Sequence, residues 1–230
     1  MMVTDRTVQQ KKIYEFVEYL DNEISPVITE LENLEASNRI HLQKLVYVDA
    51  ANRFDTLLDG LLIIFALDRD SSLQGKLLDT LNIPATQKDI FNLLLSDNPQ
   101  DRVLERIKET AKSEFLRMSH AQKLRRLLRE CYDWKDVDLD RSKVNPSLGT
   151  ISKNFVQKNT AIPTNVVGYA DWLYRRRNVL VHPTSGRSFS KQDLRELRRY
   201  CANPTSSINI SLASVKQISV FYKNLCNKIL

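Results

Sequence analysis

The sequence predicts an all-α, multi-helix protein, and three observations carry that expectation. The 230 residues include only five glycines and seven prolines, too few to punctuate many short strands, so long elements are favoured. Apolar residues recur at intervals of three and four along several stretches, the spacing of one helix face. Helix-opening residues, among them Pro99, Ser119 and Ser190, stand where such stretches begin. No stretch shows the alternation of a half-buried strand, and there is no internal repeat or low-complexity tract.

Residues 7–34 read as helix on Ile13, Phe16, Val17 and Leu20. Pro26 should end or kink it, because proline lacks an amide hydrogen and collides with the preceding turn. A longer helix is expected over about 38–67, where Tyr47, Ala51, Phe54, Leu58, Leu61 and Phe65 follow one another at steps of 4, 3, 4, 3 and 4. Shorter helices are expected near 71–82 and 86–96. Pro99 suits the first turn of the next, to about Met118, and Ser119 caps another to about Trp134. Residues 135–163 mix charge with Asn-Pro and Gly, which predicts a loop with a helical stretch inside 147–158. A helix over about 164–181 follows. Ser190 with Asp193 makes a capping box opening a helix to about Tyr200. The last helix is expected over 206–229, on Ile208, Leu212, Val215, Ile218, Tyr222, Leu225 and Ile229.

Composition narrows the function classes. Cys131, Cys201 and Cys226 are odd in number and none stands at metal-ligand spacing, so they read as reduced, buried thiols of a cytoplasmic protein. Residues 1–12 are polar, without the apolar core of a secretion signal. The longest apolar run, 57–67, is about half a membrane span and contains Asp59; a soluble protein with no membrane partner is expected. The net charge of +6 is uneven: residues 151–230 carry 13 Lys and Arg against 3 Asp and Glu, a net +10, while residues 1–150 are net −4. A basic C-terminal part suits an anionic partner, of which nucleic acid is the commonest. No GxxxxGK, HExxH, CxxC or GxSxG stretch occurs, which speaks against a P-loop ATPase, a zinc enzyme and a serine hydrolase. No metal or cofactor is expected.

The most informative stretch is Arg175 to Pro183, RRRNVLVHP. At about 100° per residue, Val166, Ala170, Leu173, Arg177 and Leu180 share one line of the helix, so Arg177 interrupts an apolar face while Arg175 and Arg176 project elsewhere. An arginine there must be paired or must point into a cleft, because an unpaired buried guanidinium is costly. His182 precedes a proline, which biases it out of the helical region. On an ideal helix the side chains of Arg177 and His182 would differ by about 140°; the break before the proline is what could bring them to one cleft.

RNVLVH resembles the Arg-x4–6-His signature of the HEPN superfamily, in the form Arg177, Asn178 and His182. The segment RFDTLLDGLL on the long early helix resembles the family's acidic-then-apolar segment, with Asp55 at its acidic position. The resemblance covers roughly 38–67 and 119–200. It implies a HEPN-like bundle over 1–230 as a single domain, with 1–37 and about 71–117 as extension or insertion. It also implies a homodimer that cleaves RNA without metal, as a toxin or antiviral effector, with a cognate antitoxin or sensor protein as a further partner.

Those residue types suit the chemistry. Cleavage by the neighbouring 2′-hydroxyl needs a base, an acid for the leaving 5′-oxygen, and a cation on the phosphate. Histidine titrates near neutral pH and serves as base or acid; arginine stays charged and presents a planar fork to phosphate. Asn178 would orient the histidine or hold the phosphate. Arg175, Arg176 and Arg187, with a basic helix bearing Lys123, Arg125, Arg126 and Arg129, would contact backbone phosphates. Two other readings stay open: a non-catalytic HEPN-like module binding nucleotide or a protein partner, and a helical DNA-binding protein using 119–134 or 190–200.

Overall fold

The structure, a computed structural model, describes residues 7–68, 86–95, 97–153, 155–156, 161–182 and 188–230. These are mostly helical, and the fold is all-α. The helix expected over 71–82 lies outside the described residues.

The chain divides into two compact units where the sequence reads as one domain. Residues Leu58–Asp133 form one, and the chain before and after them forms the other. The long helix α3 (Ala36–Leu67) contributes to both.

In the first unit, α1 (Val8–Tyr19) opens on a capping box between Thr7 and Gln10 and leads through a π turn, Leu20–Ile24, into α2 (Ser25–Asn33). The regular helix is thus interrupted just before Pro26 and resumes with it. Its missing amide hydrogen sits in the first turn of α2, and the wider π turn before it absorbs the collision with the preceding carbonyl. Both helices pack against the last one, Leu212–Ile229, so residues 7–33 belong to the core and are not an appendage. The core is aromatic at its centre. Phe54 of α3 stacks on Tyr222 with centroids 4.0 Å apart, Phe16 lies 5.7 Å from Phe54, and Phe221 meets Tyr169 edge-on at 4.9 Å. Tyr47, Ala51, Phe54 and Leu58 are all at most 1 % exposed, as the 4-3 spacing predicts.

Of the range 147–158, where a helical stretch is expected, the described residues hold no helix, and 147–152 belong to a hairpin. A short helix, Asp136–Arg141, precedes two strands, β1 (Lys143–Val144) and β2 (Ile151–Ser152), paired antiparallel. The reason is local: Asn145 Oδ1 accepts from the Ser147 amide at 3.0 Å, and Gly149 adopts φ +76°, a left-handed conformation that reverses the chain. A Cβ at 149 would also run into the Gln217 carbonyl. The last helix starts at Leu212, not 206, because Ser211 caps it through the Ser214 amide. Ile208 and Ile210 are still buried, but from an extended segment.

In the second unit, described elements beyond the end of α3 are Gln87–Leu94, Pro99–Arg117 and His120–Arg126, the last prolonged by a π turn to Cys131. The Ser119 cap is present, as a box with Gln122. Of the cysteines, none of which is bridged, only Cys226 is buried; Cys131 and Cys201 are half-buried. Burial pushes the Cys226 thiol up to about 12.

Candidate functional site

The RRRNVLVH stretch closes the helix Val166–Val181, here α8 in chain order after α7 (Asp136–Arg141). Asn165 caps its start by accepting from the Gly168 amide at 2.7 Å. Gly168 itself is required by packing: a Cβ would stand 2.6 Å from a ring carbon of Tyr200. Val166, Ala170 and Leu173 are fully buried, which fixes the roll of the helix and thereby what each arginine meets. The helix ends at His182, whose φ of −101° and ψ of 99° are extended, as the following proline demands.

The three arginines have three different fates. Arg175 donates to Asp171 and to Asp193, each at 2.8 Å. Two carboxylates neutralise it and tie the helix to the Ser190-capped helix Lys191–Leu197. Its charge is thus engaged within the fold at the place where phosphate contact is expected. Arg176 is 5 % exposed. Its Nη2 donates to the Asn209 carbonyl and, at 3.1 Å, to Ser214 Oγ, so it too is no solvent-side phosphate contact at this end of the helix. Arg177 is half-buried. Its Nε donates to Asn52 Oδ1 of α3 at 2.5 Å and its Nη1 to Asn178 Oδ1 at 2.9 Å. Both acceptors are neutral amides, so the positive charge is oriented without being cancelled. Among the described residues no acceptor meets Nη2.

Asn178 joins the motif's two ends. Its side chain holds Arg177, and its carbonyl accepts the His182 amide at 3.0 Å. His182 is exposed. Asp55 reaches the same neighbourhood through Tyr174: the phenol donates to Asp55 Oδ2 over 3.5 Å, a long and weak contact, and the Arg177 guanidinium sits 5.6 Å from the Tyr174 ring centroid. Arg187 lies outside the described residues.

Asn52 is the participant that sequence reasoning misses. The available signal is its position three residues before Asp55, on the same side of α3; a lone Asn among Ala51 and Arg53 otherwise reads as surface.

Half of the cations of the second basic helix are neutralised from within. Lys123 is buried and pairs with Asp59 at 2.8 Å. Arg126 pairs with Glu114 at 2.5 Å and Glu130 at 3.0 Å. Two of the four cations expected to face phosphate are thus paired within the fold, where a carboxylate offsets the loss of water; Arg129 is exposed.

Among the described residues, no three His, Cys, Asp or Glu side chains gather as a metal site, and no helix is long and apolar enough to cross a membrane. No family model, curated protein or solved structure matches this chain.

Proposed function

We propose that the chain is a metal-independent endoribonuclease of the HEPN type, acting on RNA as a cytoplasmic homodimer in a toxin or antiviral role. The observation that carries this reading is the state of Arg177: a half-buried guanidinium, oriented by two amides, paired with no carboxylate among the described residues, on the helix that ends at the exposed His182. A purely structural arginine is more economically satisfied by an acid, as Arg175 is.

In this reading His182 takes the proton of the 2′-hydroxyl, whose oxygen then bonds to phosphorus. Arg177 steadies the charge on the phosphate oxygens; removing one such donor typically costs about 100- to 1000-fold in rate. The bond to the 5′-oxygen breaks, and that oxygen is protonated by the same histidine of a second copy, since one imidazole cannot be base and acid in a single step. The products carry a 2′,3′-cyclic phosphate and a 5′-hydroxyl. DNA, with no 2′-hydroxyl, survives.

A second reading is a non-catalytic module that binds nucleotide or a protein partner. It is favoured by the fact that two of the three nitrogens of Arg177 are already engaged within the protein. The two separate on one assay: cleavage of a labelled oligoribonucleotide in excess chelator. A nuclease cuts, and His182→Ala and Arg177→Ala, each shown folded by circular dichroism, stop it. No cleavage by the purified dimer, or cleavage that persists in both variants, removes the nuclease reading.

A further inference from the structure

Arg176 poses a problem that its hydrogen bonds do not solve. It is a cation at 5 % exposure, and no carboxylate pairs with it among the described residues. Its two bonds come from Nη2, to the Asn209 carbonyl and Ser214 Oγ. Nη1 is buried and meets no hydrogen-bond acceptor of good geometry among the described residues. The guanidinium is clamped between rings, 4.4 Å from the centroid of Trp172 and 5.3 Å from that of Tyr47, and the Trp172 indole nitrogen is likewise buried without an acceptor. Buried charges are ordinarily paired, because burial strips them of water. If this side chain only had to fill space between two rings, an apolar one would serve better.

The side chain borders a cavity of about 730 Å³, within the size range of small-molecule sites. Arg176 is its only charged lining residue among those described. Its lining includes the apolar side chains of Phe155, Ile162 and Trp172 and the hydrogen-bonding ones of Thr205, Ser207 and Gln217. Ser214, in the first turn of the 18-residue helix Leu212–Ile229, also lines it, so the positive end of that helix adds to the field of the guanidinium. A cavity bordered by a cation that no carboxylate pairs among the described residues, and by the apolar side chains of Phe155, Ile162 and Trp172, suits an anion carrying an apolar body.

We propose that this cavity binds a small organic anion, with a phosphate or carboxylate head on Arg176 and a planar apolar body against Trp172, Phe155 and Ile162. The site is separate from the end of α8: neither Arg177 nor His182 lines it, and it stands whether or not the chain cleaves RNA. It assigns Arg176 a ligand-binding role that its neighbours do not share.

The test is calorimetric titration of the full chain with 1-naphthyl phosphate and 1-naphthoate, against 1-naphthol and inorganic phosphate. The two naphthyl anions are expected to bind and to shift the Trp172 indole N–H resonance; which of them binds tighter identifies the head group. Losing a buried charge partner weakens binding by about thirtyfold or more, and Arg176→Gln and the neutral naphthol should each show at least that loss. Inorganic phosphate, without the body, should bind far more weakly. Because Arg176 also holds Asn209 and Ser214, a second variant leaves it in place: Ser207→Trp, at an exposed lining position, fills the cavity and should abolish binding. His182→Ala should leave it unchanged. The proposal is overturned if neither anion binds, if naphthol binds as tightly as they do, or if Ser207→Trp binds like the wild type.

Discussion

Replacing Asn52 by Asp separates what Arg177 does for the fold from the role proposed for it on RNA. The wild-type amide oxygen lies 2.5 Å from Arg177 Nε. A carboxylate in its place keeps the hydrogen bond and adds a charge. Two unit charges 4 Å apart attract by about 4 kcal/mol at the effective dielectric of a protein surface. Both side chains are half-buried, and exposed pairs of this kind retain about 1 kcal/mol or less after screening. The variant should therefore be as stable as the wild type or slightly more so, with a melting temperature up by about 2–4 °C at most. Its activity should move the other way. The added carboxylate cancels the charge that phosphate would meet and repels the phosphate itself. If only half of the bare attraction is felt at the phosphate, about 2 kcal/mol is lost, which is roughly thirtyfold in kcat/KM. The assay is oligoribonucleotide cleavage in chelator at low and high salt, paired with a thermal melt. A folded, unweakened Asn52→Asp protein that cleaves RNA at the wild-type rate, while Arg177→Ala is inactive, would refute the claim that Asn52 presents Arg177 to the phosphate.

Two further outcomes test the fold. Phe54 is 1 % exposed and stacked on Tyr222, so Phe54→Ala should cost about 3–5 kcal/mol in urea denaturation, the range for a buried ring truncated to a methyl group; a loss under about 1 kcal/mol would mean the aromatic centre is not what holds the unit together. Alkali should also unfold the protein. Burial pushes the Tyr47 phenol up to about 12, and those of Tyr169 and Tyr222 higher. An unfolded chain releases these protons from about pH 10, so the stability they permit is whole below pH 10 and falls as pH rises above it, by about 1.4 kcal/mol per pH unit for each phenol. Tyrosinate absorbance should show these three ionising together with unfolding; ionisation of all three in a still-folded protein at pH 11 would contradict their burial.

The helical character, the roll of α3 and the ends of several helices are legible in the residues alone, because each depends on neighbours three or four positions away. The 4-3 spacing from Tyr47 marks the buried face, Ser119 and Ser190 mark helix starts, and Pro183 marks where Val166–Val181 must stop. The candidate motif is legible for the same reason, being six consecutive residues. What tertiary structure alone decides is which charges remain available. Three adjacent arginines are chemically identical in the sequence. Asp193, Asn209 and Asn52, brought from distant parts of the chain, make one an ion pair, one a buried cation beside a cavity, and one an oriented, uncancelled charge. The hairpin at 143–152 and the π turn before Pro26 escape a periodicity argument as well. Each is set by a local steric or hydrogen-bonding demand at a single residue, Gly149 in one case and Pro26 in the other, and a window average cannot register it.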